Sequence, residues 1–73
     1  MSVGFPLYEA LEDPKIIEWL RLIPWLKDAF IDGRIQGVVF MSRKTVINVD
    51  RSMAMVDIAI LESRLKVFVE VLD

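Results

Sequence analysis

The sequence contains no cysteine and no histidine. Without cysteine there is no disulfide scaffold and no thiol chemistry, and without either residue type there is no Cys/His zinc site. Imidazole acid–base catalysis is excluded as well. Glycine and proline, with three residues each, are too sparse for a glycine-rich phosphate loop or a flexible linker. Because the sequence lacks the residue types that most catalytic and metal sites need, we expect a protein that is not an enzyme and that holds no cofactor or metal.

A surplus of positive charge and a long apolar run are also missing. Nine Lys and Arg stand against eleven Asp and Glu, which gives a formal charge of −2. A nucleic-acid-binding domain usually carries a basic surplus, so nucleic acid is not the expected partner. No apolar run approaches the roughly 20 residues of a membrane span. The first residues lack the basic and apolar regions of a secretory signal. We therefore expect a cytoplasmic protein without a membrane span.

The chain is short and rich in apolar residues. Its 73 residues, of which 55% are hydrophobic, predict a single small α+β domain over residues 1–73. A domain of this size buries only roughly 60% of the surface of its unfolded chain. Small domains often need a disulfide, a metal or a partner subunit for stability. Because the first is impossible here and the second would have only oxygen ligands, we expect a homo-oligomer, most simply a dimer.

The first half of the chain predicts helix. After an N-terminal segment, residues 1–13, apolar residues recur at helical spacing over 14–31. Asp13 is suited to cap the helix, Pro14 to its first turn and Gly33 to its end. Pro24 removes a helical hydrogen bond and disfavours helical geometry at Ile23. We therefore predict a kinked helix, or two short helices, that covers a sheet.

The second half, residues 34–73, is β-rich and predicts four strands. Branched and aromatic residues alternate with others over 34–41, 44–49, 53–61 and 64–72. Turns are predicted at 42–43, 51–52 and 62–63, so that consecutive strands form a four-stranded antiparallel meander. The segment 53–61 also fits a helix, because Ser52 could cap one and several of its residues are good helix formers. The charged residues in and just after this segment would lie on all sides of a helix instead of one, which favours the strand.

The predicted meander has two faces of different character. One face is almost entirely apolar and predicts the core, whereas the other carries an apolar strip with charges around it. Such a strip indicates an interface with a second copy or another protein, unless the helical segment or the N-terminal segment covers it. Trp25, beside the proline break, is a further anchor or could wall a small pocket. The candidate interface residues are Val39, Val46, Met55, Asp57, Phe68 and Trp25.

Asp57 is the one charged residue inside a long apolar segment. In the predicted register it lies diagonally between Lys44 and Lys66, which favours a cross-strand ion pair over a catalytic or ion-binding carboxylate. Basic residues also gather near the predicted turns at one end of the sheet. These candidates for phosphate contact, or simply for solubility, are Arg43, Lys44, Arg64 and Lys66.

Together these features predict a non-enzymatic assembly or adaptor protein that acts through self-association and protein–protein contacts. Two alternatives remain open. One is a nucleic-acid-associated regulatory protein that uses the basic sheet edge, and the other is a small-ligand-binding module with its pocket near Trp25.

Overall fold

The computed structural model describes residues 3–4 and 12–72 of the chain. In this part, helices and strands form a small α+β fold. The predicted N-terminal segment, residues 1–13, lies mostly outside the described residues. The elements in chain order are β1 (Val3–Gly4), α1 (Pro14–Leu22), α2 (Leu26–Ile31), β2 (Ile35–Phe40), β3 (Thr45–Asp50), α3 (Met55–Leu65) and β4 (Phe68–Leu72).

The sheet is mixed and has three full strands. β2 and β3 form an antiparallel hairpin in which Phe40 lies opposite Thr45. β4 runs parallel to β3 on its other side, with Val46 opposite Phe68. The two-residue β1 adds a short antiparallel extension beside β2. The predicted four-stranded antiparallel meander is therefore wrong, because one strand pair is parallel and the third predicted strand is a helix.

Most of the segment predicted as strand 53–61, from residue 55 onwards, belongs to helix α3. Parallel strands cannot be joined by a tight turn, and α3 is the crossover that connects β3 to β4. Its buried side chains, Leu61 and Leu65, lie one helical turn apart. Val56 and Met55 are exposed in its first turn and blur the helical pattern. Because these exposed residues are apolar, the apolar positions of the segment do not lie on one side of a helix, and their alternation resembled a strand.

The end of α3 also corrects the last predicted strand. Lys66 has a left-handed backbone, with φ 57° and ψ 45°, which ends the helix. Residues 64 and 65 are therefore helical, the predicted turn at 62–63 is wrong, and β4 begins only at Phe68.

The proline break divides the N-terminal helical region into α1 and α2, one of the two predicted outcomes. Ile23 has extended backbone, with φ −129° and ψ 99°, as expected before a proline. The Asp13 carboxylate accepts hydrogen bonds from the backbone N–H of Lys15 (2.8 Å) and Ile16 (3.3 Å). At the end of α2, Gly33 has a φ of 85°, a left-handed conformation that glycine adopts without steric cost. These signals fix both ends of the helical region.

The helices pack on one face of the sheet. Val38 of β2 and Ile47 of β3, which are register partners, belong to the same buried cluster as side chains from all three helices. Trp19 of α1 also lies near Phe40, with ring centroids 6.0 Å apart. The fold is therefore a helical layer on a sheet. The buried cluster consists of Ile16, Trp19, Ile23, Leu26, Ala29, Phe30, Ile35, Val38, Ile47, Val49, Met53, Leu61, Leu65 and Val67.

Candidate interaction surface

The sheet face turned away from the helices carries a row of three apolar residues. Side chains alternate between the two faces of a strand. Because Val38 and Ile47 point into the core, their neighbours Val39 and Val46 project from the opposite face, here called the outer face. Val39 lies opposite Val46, and Val46 lies opposite Phe68 on the next strand. Val39, Val46 and Phe68 thus form a continuous row across the sheet, which we call the apolar row.

The apolar row becomes more exposed towards β4. Val46, at its centre, is only 8% exposed, and Val39 is partly buried. Phe68, on the last strand, is 60% exposed. The Nζ of Lys44 lies 5.5 Å from the centroid of the Phe68 ring, a cation–π arrangement. The most accessible apolar group of the outer face is therefore the Phe68 ring, with a cation beside it.

Polar residues border the apolar row. The next row across the sheet consists of Gly37, Asn48 and Glu70, which are register partners in the same way. On the other side of the row stands Lys44, immediately before β3. An apolar patch rimmed by polar groups is typical of a protein–protein interface.

In the described residues β4 is the edge strand on one side of the sheet, and β1 is at the other. Val71 points to the core side of the sheet, since its register partner Val49 is buried, yet Val71 is 48% exposed. Phe68 is exposed on the outer side of the same strand. β4 contains no lysine or proline, the residues that commonly protect an edge from pairing with another strand. The edge strand therefore carries an exposed apolar side chain on each side, with Glu70 as its one charged residue.

Three of the predicted interface residues lie away from the apolar row. Met55, which is 84% exposed, and Asp57 are both in the first turn of α3. Trp25 lies between α1 and α2 and packs against the core. The predicted position of Asp57 between Lys44 and Lys66 is wrong, because it depended on a third strand. Its carboxylate is instead near the helix N-terminus, where the helix dipole favours negative charge.

The four predicted phosphate-contact residues lie in two segments. Arg43 and Lys44 are in the turn between β2 and β3, whereas Arg64 and Lys66 are at the end of α3. Because β3 and β4 are parallel, Lys44 and Lys66 precede their strands at the same end of the sheet. Arg64 donates from Nη1 to the Leu22 carbonyl oxygen at 3.4 Å, so part of its hydrogen-bonding capacity is used within the fold.

Sequence reasoning missed two accessible residues at the borders of the sheet, one at its end and one at its edge. Lys15 lies at the same end of the sheet as Lys44, with its Nζ 5.5 Å from the centroid of the Phe40 ring. Val71 is exposed because the helices do not cover the sheet to its edge. Period-two alternation along β4 directs Val71 towards the core side, and no local signal in the sequence distinguishes an edge position from a central one.

Pockets and metal sites are missing from residues 12–72. This range encloses no pocket, including beside Trp25, and no group of three or more acidic side chains in it is placed to hold a metal ion. None of the helices in the same range is both long and apolar enough to cross a membrane. No protein-family model, curated protein or solved structure matches the chain.

Proposed function

We propose that this protein is a non-enzymatic assembly protein, with a cytoplasmic location, that associates with a second copy of itself through β4 and the outer face. The observation that carries the proposal is the exposure of Phe68 and Val71 on opposite sides of one edge strand. A second sheet edge paired with β4 would cover both side chains and would use the backbone groups of the edge.

The small size of the domain supports the same proposal. Fully burying a valine or phenylalanine side chain stabilises a protein by about 1.5–3 kcal/mol relative to leaving it exposed. A 73-residue domain has a total stability of only about 4–11 kcal/mol. Covering Phe68 and Val71 in a dimer would therefore add a substantial fraction of the stability of the monomer.

The test is the molar mass in solution, measured by light scattering over a concentration series. Phe68→Gln should shift the population towards monomer. Ile31→Gln is the matched control, because Ile31 is 59% exposed but lies at the end of α2. A wild-type protein that stays monomeric at every concentration would overturn the proposal, as would equal effects of the two substitutions.

A second candidate, contact with nucleic acid, is supported by the position of Lys15, Lys44 and Lys66 at one end of the sheet. Phosphate contacts make affinity fall steeply with salt. If nucleic acid binds there, Lys66→Glu should abolish a salt-dependent shift with DNA or RNA. Arg51→Glu is the control, because Arg51 follows β3 at the opposite end of the sheet. Absence of binding by the wild type at low salt would remove this candidate.

A further inference from the structure

The part of this sheet edge that can pair with another strand is short. β4 spans Phe68–Leu72, five residues. Lys66, two residues before the strand, has a left-handed backbone, and the chain up to Leu65 is helical. A partner strand placed opposite Lys66 would therefore find no extended backbone to pair with. The register of any edge-to-edge association is limited to the five residues of β4.

The symmetry of a closed dimer sets the direction of the two strands. If two copies join into one continuous sheet, their two-fold axis is perpendicular to the sheet and the strands are antiparallel. Both helical layers then lie on the same side of the joined sheet. Val71 is 48% exposed on that side, so the helical layer stops short of the edge. The helices therefore leave this edge open on the core side.

One register pairs the whole of β4 with a second β4. With the axis at Glu70, Phe68 lies opposite Leu72 of the partner copy, and Val69 lies opposite Val71 of the partner copy. Both kinds of pair are apolar, and apolar side chains that face each other across two strands stabilise the pairing. The pairs cover Phe68 on the outer side and Val71 on the core side, the two exposed apolar side chains of the edge.

The other two-fold registers leave part of the strand unpaired. With the axis one residue earlier, at Val69, the end of β4 would face Lys66 and Val67, which precede the strand. With the axis one residue later, Phe68 has no partner within β4. An axis at either end of the strand pairs only the residue on the axis. Glu70 is the middle residue of β4, so an axis there is the one that uses the whole strand.

We infer that the protein forms a two-fold symmetric dimer in which β4 pairs antiparallel with β4 of a second copy, with Glu70 on the axis. This inference rests on the proposed self-association and adds the partner strand and its register. The two sheets join into one sheet, and the exposed apolar side chains of each edge are covered by those of the other.

Glu70 faces Glu70 of the partner copy in this register, and the two carboxylates repel each other. Glu70 is exposed on the outer face, where water and salt screen the repulsion. Its register partner Asn48 on β3 places an amide, which can donate hydrogen bonds, on the same face. The repulsion is therefore small beside the burial of two apolar side chains from each copy. It makes the dimer weaker than an uncharged edge would.

The first test uses the absence of cysteine from the chain. A residue on the axis lies directly opposite its own copy, with Cα atoms about 4.5–5.5 Å apart, which suits a disulfide. A residue one position away from the axis is more than about 8 Å from its own copy, which is too far. Under mild oxidation, Glu70→Cys should therefore form a covalent dimer on a non-reducing gel, whereas Val71→Cys alone should stay monomeric.

Mixing two variants provides the matched positive control. Positions 69 and 71 lie opposite each other in the proposed dimer, so Val69→Cys mixed with Val71→Cys should crosslink although neither variant does so alone. Lys27→Cys is the negative control, because Lys27 is exposed on α2, which packs against β2. Thermal unfolding of each reduced variant confirms that it is folded.

The charge of Glu70 tests the axis without a crosslink. Glu70→Gln removes the repulsion and should dimerise about threefold more tightly than the wild type at low salt. Glu70→Lys places two ammonium groups at the axis and should dimerise about as weakly as the wild type. Mixed with the wild type, it should form more heterodimer than random pairing gives, because a cation then faces a carboxylate. Light scattering measures the affinities, and native mass spectrometry with isotope-labelled wild type measures the heterodimer.

The possible results separate the register from the proposed function. Crosslinking of Glu70→Cys alone, together with an excess of heterodimer, supports the register. Crosslinking of Val69→Cys alone, or random pairing of the wild type with Glu70→Lys, overturns the register while self-association itself stands. A dimeric wild type whose β4 cysteine variants crosslink no better than Lys27→Cys overturns the pairing of β4 with β4. A wild type that is monomeric throughout a concentration series overturns both the register and the proposed function.

Discussion

Val46 and Phe68 lie directly opposite each other across the parallel β3–β4 pair, on the outer face of the sheet, yet they differ greatly in exposure. Val46 is enclosed by strands on both sides, whereas Phe68 has a neighbouring strand on one side only. The same substitution should therefore have different effects at the two positions.

Val46→Asp should destabilise the fold by about 3 kcal/mol, because it places a charge at a buried position without a partner. Phe68→Asp should cost only about 1 kcal/mol, which reflects the poor strand propensity of aspartate. Urea unfolding of the two variants in parallel, at a concentration where the wild type is monomeric, measures the difference. Equal losses of stability would contradict the exposures described above. Phe68 is consequently the better position for altering the surface without altering the fold.

Helix α3 supplies a test of the crossover. Leu61 is fully buried, so Leu61→Ala should destabilise the protein by about 2–5 kcal/mol. Val56 is exposed on the same helix, and Val56→Ala should change the stability by less than about 0.5 kcal/mol. A strand over 53–61 would reverse this order, because it would point Val56 into the core and Leu61 away from it. Chemical denaturation of the two variants therefore discriminates between the helix and the strand.

The parts of the fold that depend on local signals could be predicted from the sequence. Asp13, Pro24 and Gly33 act within one or two turns, and the β2–β3 hairpin joins neighbouring segments. The parallel pairing of β3 with β4 could not be predicted in this way. It depends on contacts between Val46 and Phe68, which are distant in sequence, and the same apolar residues of α3 satisfy either a strand or a poorly amphipathic helix.

The outer face was predictable only in part. Period-two alternation placed Val39, Val46 and Phe68 on one face. This prediction holds although the predicted topology is wrong, because each of the three residues lies in a segment that is a strand in both. Met55 and Asp57 were assigned to the same face through a strand that is a helix. The exposure of Val71 depends on how far the helical layer extends over the sheet, and the sequence pattern gives no information on that extent.

The two longer helices differ in their N-caps, and stability should follow that difference. Asp13 caps α1 with two backbone hydrogen bonds, whereas Ala54 begins α3 with extended backbone and no side-chain hydrogen bond. Asp13→Ala should cost about 1 kcal/mol, and Ala54→Asp should add a comparable amount, since its side chain could accept from the first free N–H groups. Thermal unfolding of both variants checks the prediction. A loss of stability in Ala54→Asp would indicate that position 54 is not the start of the helix.

The Asp50 carboxyl, in the turn after β3, should make the stability of the fold depend on pH. Hydrogen bonds from the Ser52 side chain and backbone N–H lower the pKa of the Asp50 carboxyl below its usual value of 3.8. The backbone bond is 2.9 Å long, and the N–H of Met53 donates to the Asp50 carbonyl oxygen at 3.0 Å. A carboxyl whose pKa is lower in the folded state stabilises the fold when ionised. This contribution is therefore present above pH 3.8 and is lost as the pH falls through the lowered pKa.

Asp50→Asn should remove this dependence while it retains an oxygen that accepts from the Ser52 N–H. The difference in stability between wild type and Asp50→Asn should be constant at neutral pH and should shrink below pH 3.8, as the wild-type carboxyl becomes protonated. Ser52→Ala removes the largest cause of the lowered pKa, so it should also weaken the acid-dependent loss. Unfolding free energies measured from neutral to acidic pH for the three proteins provide the comparison. A difference that stays constant to the lowest pH would show that ionised Asp50 does not stabilise the turn.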